Sequence, residues 1–199
     1  MRLFPRSIQR LKLPESSISY YPGFFTTEEA DHYLRKFMTD VLWQQDDITV
    51  FGKAYPQPRL TALYANNENS YSYSNVVMEP HPFTEELYNI KQRLKEVTPA
   101  DFTTCLLNLY RDGQDSNGWH ADDEKELGDN PVIASVSFGQ ERFFHLRHKW
   151  DKSLKHKILL EHGSLLLMAG ETQHYWQHQI PKTSQAVRER INLTFRVIQ

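Results

Sequence analysis

The 199-residue sequence has one cysteine, no long apolar run and almost no net charge. A single thiol, Cys105, can close no internal disulfide and build no cysteine-rich zinc site, which fits a reducing compartment. The amino terminus, Met1-Arg2-Leu3-Phe4-Pro5-Arg6, is basic but leads into no stretch long enough for a signal peptide or a membrane span. A soluble protein without a membrane partner is expected, cytoplasmic, or nuclear in a eukaryote. The formal net charge of -2 excludes binding polyanions by overall charge, so any nucleic-acid contact must come from local patches. No internal repeat or low-complexity segment is visible.

What is present, 39% hydrophobic and 13% aromatic residues, suffices for one sizeable core in one domain, 1–199. A monomer is expected, because one small domain needs no partner to complete its site. Thr26-Thr27-Glu28-Glu29 reads as a capping box, and Ala30, Tyr33, Leu34, Phe37, Met38 and Val41 follow at helical spacing. A second helix is expected over 84–97, with Glu85 and Glu86 in its first turn, ended by Thr98-Pro99. Between the helices the chain is polar and turn-rich, as in a surface loop or short hairpins. Beyond Pro99 the pattern becomes strand-like over 102–110, 132–138, 142–146, 157–160, 164–168, 175–180 and 191–197. Helices followed by many short strands predict an α+β fold with a β-sandwich or jelly roll as its functional body. The helices and loops would occupy 1–98 and the jelly-roll catalytic core 99–199.

Side-chain alternation gives that body a polar face. In the last strand Arg190, Asn192, Thr194 and Arg196 share one side, and Ile191, Leu193, Phe195 and Val197 the other. Asn108 and Tyr110 likewise share a side of the strand ending at Tyr110. If both polar faces line one cavity, two guanidiniums, an amide and a phenol converge there. Buried arginines need anions, and with no protein carboxylate evident for both, a carboxylate-bearing ligand is the natural partner. His120 and Asp122, two apart, project to one side of an extended segment. Two histidines and a carboxylate suit divalent iron with open coordination positions, so a third ligand must come from elsewhere in the chain; His174 and His178 are both candidates.

Four segments carry a family resemblance: Leu106-Leu107-Asn108-Leu109-Tyr110-Arg111-Asp112-Gly113, His120-Ala121-Asp122-Asp123-Glu124, Trp176-Gln177-His178 and Arg190-Ile191-Asn192-Leu193-Thr194-Phe195-Arg196. Together, and in this order, they resemble the AlkB-type Fe(II)/2-oxoglutarate dioxygenases. The resemblance covers most of the chain from Val50 onward and implies a double-stranded β-helix with the N-terminal helices packed against one sheet. It implies Fe(II) on His120, Asp122 and His178, with His174 nearby in the pocket. It also implies 2-oxoglutarate on Asn108, Tyr110, Arg190, Thr194 and Arg196, with Asn192 in the same layer.

The activity implied is oxidative demethylation of N-alkylated bases in DNA, with RNA as an alternative. It consumes O2 and 2-oxoglutarate and releases formaldehyde, succinate and CO2. A target base must be flipped or single-stranded to reach such a pocket. Tyr71-Ser72-Tyr73 would supply an aromatic wall opposite His120, and Glu124 would meet the exocyclic amino group of a cationic lesion such as 1-methyladenine or 3-methylcytosine. Val50-Phe51-Gly52-Lys53 resembles the finger that duplex-specific relatives insert into the base stack. A basic stretch holding Arg142, Arg147, Lys149, Lys152, Lys155 and Lys157, with His145, His148 and His156, suggests phosphate contact. The competing readings are a dioxygenase acting on protein or lipid, in which Glu124 and Tyr73 would be idle, and a jelly-roll module without catalysis.

Overall fold

Both helices begin where local chemistry satisfies their free N–H groups. Helix α1 (Thr27–Asp40) is capped by Thr26, whose Oγ1 accepts from the Glu29 N–H at 3.2 Å while Glu29 Oε2 accepts from the Thr26 N–H at 2.9 Å. Helix α2 (Glu85–Leu94) is capped by Thr84, whose hydroxyl accepts from the Leu87 N–H. It ends earlier than the apolar spacing implied, and Val97 sits in the turn beyond. The computed structural model describes residues 7–50, 53–66, 71–73 and 76–198.

The first eight strands are β1 (Gln9–Arg10), β2 (Ser17–Tyr21), β3 (Asp47–Val50), β4 (Lys53–Pro56), β5 (Leu60–Ala65), β6 (Tyr71–Tyr73), β7 (Val76–Met78) and β8 (His81–Pro82). Then come β9 (Thr104–Tyr110), β10 (Asn117–His120), β11 (Ile133–Gly139), β12 (Arg142–His148), β13 (Lys155–Leu160), β14 (Ser164–Ala169), the short helix α3 (Thr172–Tyr175), β15 (Trp176–Ile180) and β16 (Arg190–Arg196). A large sheet runs β1-β2-β14-β11-β16-β9-β5-β8 and a small one β10-β15-β12-β13, while β3-β4 and β6-β7 form separate hairpins.

Two cores follow from the alternation of the large sheet. Leu107, Val136, Leu193 and Phe195 turn one way and meet α1 and α2 through Phe37, Leu87, Ile90 and Leu94. Leu106, Tyr110, Ile133 and Met168 turn the other way and meet Phe144, Leu146, Ile158, Trp176 and Ile180 of the small sheet. Helices on one face and a second sheet on the other make the expected α+β jelly roll.

The structure corrects three expectations. Leu60–Ala65 lies in the region expected to be a surface loop or short hairpins, yet β5 is a buried strand of the large sheet paired with β9 across Leu60↔Leu109 to Ala65↔Thr104. Strands from both sides of residue 98 therefore share the large sheet. Within the basic stretch, Arg142 and His148 are buried, because alternation on β12 turns even-numbered residues inward. Arg142 donates to the carbonyls of Asp112, Asp115 and Pro181, joining the loop after β9 to the loop after β15. The Thr183 N–H donates to Gly113 O across the same seam, leaving no room there for a larger residue at Gly113.

Removing the α1 cap isolates a local contribution. Thr26→Ala should lower unfolding free energy by about 1 kcal/mol in urea titrations, with an unchanged denaturant slope. No measurable loss would mean that packing alone sets the start of α1.

Candidate metal and co-substrate site

The register between β10 and β15 creates the metal cluster. His120 lies directly opposite His178, and an irregularity between Asn117 and His120 turns the end of β10 so that the following segment delivers Asp122 to the same place. The ligand atoms of His120, Asp122 and His178 all lie within 4.8 Å of one another. Each histidine Nε2 is 4.0 Å from a different Asp122 oxygen, a spacing that fits a cation between them.

The surroundings set the protonation of this cluster. Burial would raise the Asp122 carboxyl, but Arg196, followed by His178 and His120, overrides it and holds the group down at about 2. Burial pushes His178 down to about 3, helped by His120, and His120 is lowered mainly by burial. Two neutral imidazoles and one carboxylate are the forms in which these groups bind a metal. His120 Nδ1 lies 2.7 Å from Gly118 O, which places the proton on Nδ1 and leaves the Nε2 lone pair toward the cluster.

Side chains that sequence reasoning missed hold these groups in place. The Asp122 N–H donates to the buried Gln173 Oε1 at 3.0 Å. The Phe144 ring stacks on His178 with 5.0 Å between centroids. Arg59, buried before β5, donates its Nε to Asn108 Oδ1 at 2.8 Å, fixing which way that amide faces. Gln173 stands beside the candidate His174 with no motif to mark it. Arg59 precedes a strand that was read as loop.

A small cavity joins the cluster to the polar face of β16. Asn108, Tyr110, Arg190, Asn192, Thr194 and Arg196 line it, as do His120, Asp122 and His178. Their satisfaction differs. Arg196 Nη2 donates to Asp122 Oδ1 at 2.7 Å, so a protein carboxylate serves this one of the two arginines. The Asn192 amide donates to Ser135 Oγ and Val136 O and accepts from Thr194 Oγ1, which makes it a brace within the layer. Arg190, 1% exposed, donates Nη2 to Ser137 Oγ, but its Nε and Nη1 meet no well-aligned hydrogen-bond acceptor among the described residues. Its guanidinium sits 5.1 Å from the Tyr110 ring centre, and burial pushes its pKa down to about 10. A buried cation with two idle nitrogens facing a cavity fits an anionic ligand.

The other expected positions are spread more widely. Glu124 is half-buried, two residues past Asp122, at the start of a 3-10 turn (Lys125–Leu127). Tyr71, Ser72 and Tyr73 form β6, paired with β7. Lys53 opens β4 and is exposed, while Phe51 and Gly52 lie outside the described residues. His174 is neither ligand nor pocket residue: α3 breaks the extended spacing to His178 and leaves His174 exposed.

Fold and cluster together define a non-haem iron oxygenase, and the comparisons agree. The model of the 2OG-Fe(II) oxygenase superfamily matches residues 17–196, and the chain belongs to that superfamily, in its AlkB-type branch. It is 44% identical to the rat alpha-ketoglutarate-dependent dioxygenase alkB homolog 3 over 98% of this chain and 71% of that one. It is 37% identical to the bovine DNA oxidative demethylase ALKBH2 over 89% of this chain and 68% of that one. The solved structure of OsALKBH1 shares the fold, with a TM-score of 0.68 at 17% identity over 96% of this chain and 100% of its own. The protein is thus an Fe(II)/2-oxoglutarate-dependent dioxygenase, using O2.

The two arginines should now separate experimentally. Arg196→Met leaves Asp122 buried without its partner and should destabilise the metal-free protein by about 3–5 kcal/mol, part of which added Mn(II) restores. A metal-independent loss would show that the pair is purely structural. Arg190→Met should instead raise the 2-oxoglutarate requirement on the order of tenfold or more with metal affinity unchanged. An unaltered requirement would show that the idle nitrogens do not meet the co-substrate.

Proposed function

We propose that this enzyme demethylates N-alkylated nucleobases of the 1-methyladenine and 3-methylcytosine type in DNA, and also in RNA. One observation carries the reading: the cavity joins a His-Asp-His cluster to the two idle nitrogens of Arg190, in a chain 37% identical to a DNA oxidative demethylase. His120, Asp122 and His178 hold Fe(II). Arg190 and Tyr110 receive a carboxylate of 2-oxoglutarate, with Asn108, Thr194 and Arg196 lining the rest of its berth. With O2 these groups supply the oxidant that hydroxylates the N-methyl carbon, after which formaldehyde leaves the base.

The residues of the chain position and exclude. Arg196 keeps Asp122 ionised and aimed, and Arg59 keeps the Asn108 amide turned so that its NH2 group is what remains to offer. Glu124, close behind the metal ligands, favours a base that carries positive charge, and Tyr71 and Tyr73 on β6 provide the aromatic wall. The exposed Lys155 and Lys157 of β13, with half-buried Arg147 beside them on β12, support a polyanionic substrate.

Formaldehyde release from methylated single- and double-stranded DNA and RNA tests the reading. Glu124→Gln should slow demethylation of 1-methyladenine on the order of tenfold, through loss of a charge-assisted contact, while uncoupled 2-oxoglutarate turnover persists. Equal loss of both would move Glu124 to the support of the iron site.

A further inference from the structure

Trp150 is 65% exposed, an unusual position for the largest apolar side chain, and the turn beneath it is tightly built. Buried His148 accepts the N–H groups of Asp151 at 3.0 Å and Trp150 at 3.4 Å on Nδ1, while its Nε2 lies 2.9 Å from Glu15 Oε2. The His148 N–H donates to Leu154 O, and Asp151 Oδ1 accepts from both the N–H and the hydroxyl of Ser153. The indole therefore rides on a fixed support. Its ring contacts, with Tyr175 at 5.3 Å and 78° and with His148 at 5.7 Å and 67°, are near-perpendicular, so no described ring covers it flat.

The turn also lies beside the site. Lys149 donates its backbone N–H to Tyr175 O and its Nζ to Asp123 Oδ2 at 2.8 Å, which docks the turn on the residue next to Asp122. Lys152 and Lys155 flank Trp150 on the exposed surface. An exposed apolar ring on a braced turn, one residue from the lysine that pairs with Asp123 and close in sequence to exposed Lys152 and Lys155, has the makeup of a base-stacking platform.

We propose that Trp150 stacks on a nucleobase flanking the one in the cavity, within a single strand whose phosphates face Lys152 and Lys155. This rests on the nucleic-acid reading of the site. Trp150 thus selects unpaired substrate, because a neighbouring base can lie on the indole only when it is free to leave its own stack.

Two measurements test it on the 199-residue protein. In fluorescence anisotropy with a labelled, methylated single-stranded oligonucleotide, Trp150→Ala should weaken binding on the order of tenfold, and Trp150→Phe should recover most of the loss. The slope of log Kd against log salt should stay unchanged, since a stack is lost and no phosphate contact. In the formaldehyde assay KM for the oligonucleotide should rise by the same factor, with kcat unchanged and no effect on the methylated mononucleotide. An unaltered Kd, an altered salt slope, or equal loss on the mononucleotide would overturn the platform. If the wild-type protein releases no formaldehyde from any methylated nucleic acid, the demethylase reading falls, and the anisotropy result alone decides whether Trp150 is a stacking surface.

Discussion

The buried pair between Asp122 and Arg196 is the interaction on which the remaining architecture depends. Arg196 ends β16 in the large sheet, and Asp122 follows β10 in the small one, so a single 2.7 Å contact spans the two halves of the jelly roll. Isolated burial of either charge would be costly, and the contact offsets that cost for both. It also holds the carboxylate ionised while burial keeps the two histidines neutral. Closing the fold and preparing the metal cluster are consequently one event, carried by the same two side chains.

A second constraint comes from the difference between the two arginines. They lie on one face of one strand, yet Arg196 commits its Nη2 to the Asp122 carboxylate while Arg190 has no carboxylate partner among the described residues and keeps two nitrogens idle at 1% exposure. Asn192 and Thr194 between them are bonded to each other and to β11, which prevents the strand face from rearranging to satisfy Arg190 internally. Six residues of extended chain, roughly 20 Å, separate the Cα atoms of Arg190 and Arg196. The unsatisfied guanidinium and the His-Asp-His cluster are thereby fixed toward opposite ends of one buried strand.

Much of this was legible in the sequence, for a physical reason. A strand between two cores must alternate strictly, and β16 and β9 do so, which placed Arg190, Asn192, Thr194, Arg196, Asn108 and Tyr110 on one face before any coordinates. His120 was paired correctly with Asp122, but the choice between His174 and His178 needed the family resemblance. Spacing could not reveal that α3 interrupts the extended chain between them. The buried β5 escaped because its flanks, Gln57-Pro58 on one side and Asn66-Asn67 on the other, are rich in turn residues. Arg142 and His148 escaped because a run of basic residues reads as a surface, and only pairing with β13 and β15 shows which side chains turn inward.

The same alternation explains why positively charged side chains stand on both sides of the small sheet. On β12, Arg142 points inward and is spent on three backbone carbonyls, while Arg147 points outward, where its guanidinium lies 4.2 Å from the Trp119 ring centre and binds Gln177 Oε1. Trp119 precedes His120 on β10, so one residue serves the outer surface and the next the metal cluster. A polyanion lying on this outer face is therefore one strand's thickness from the cavity wall. The turn after β12 links surface and site, because Lys149 donates to Asp123, the residue between Asp122 and Glu124. That short loop, held between the two sheets, is therefore one place where surface charge and buried chemistry meet.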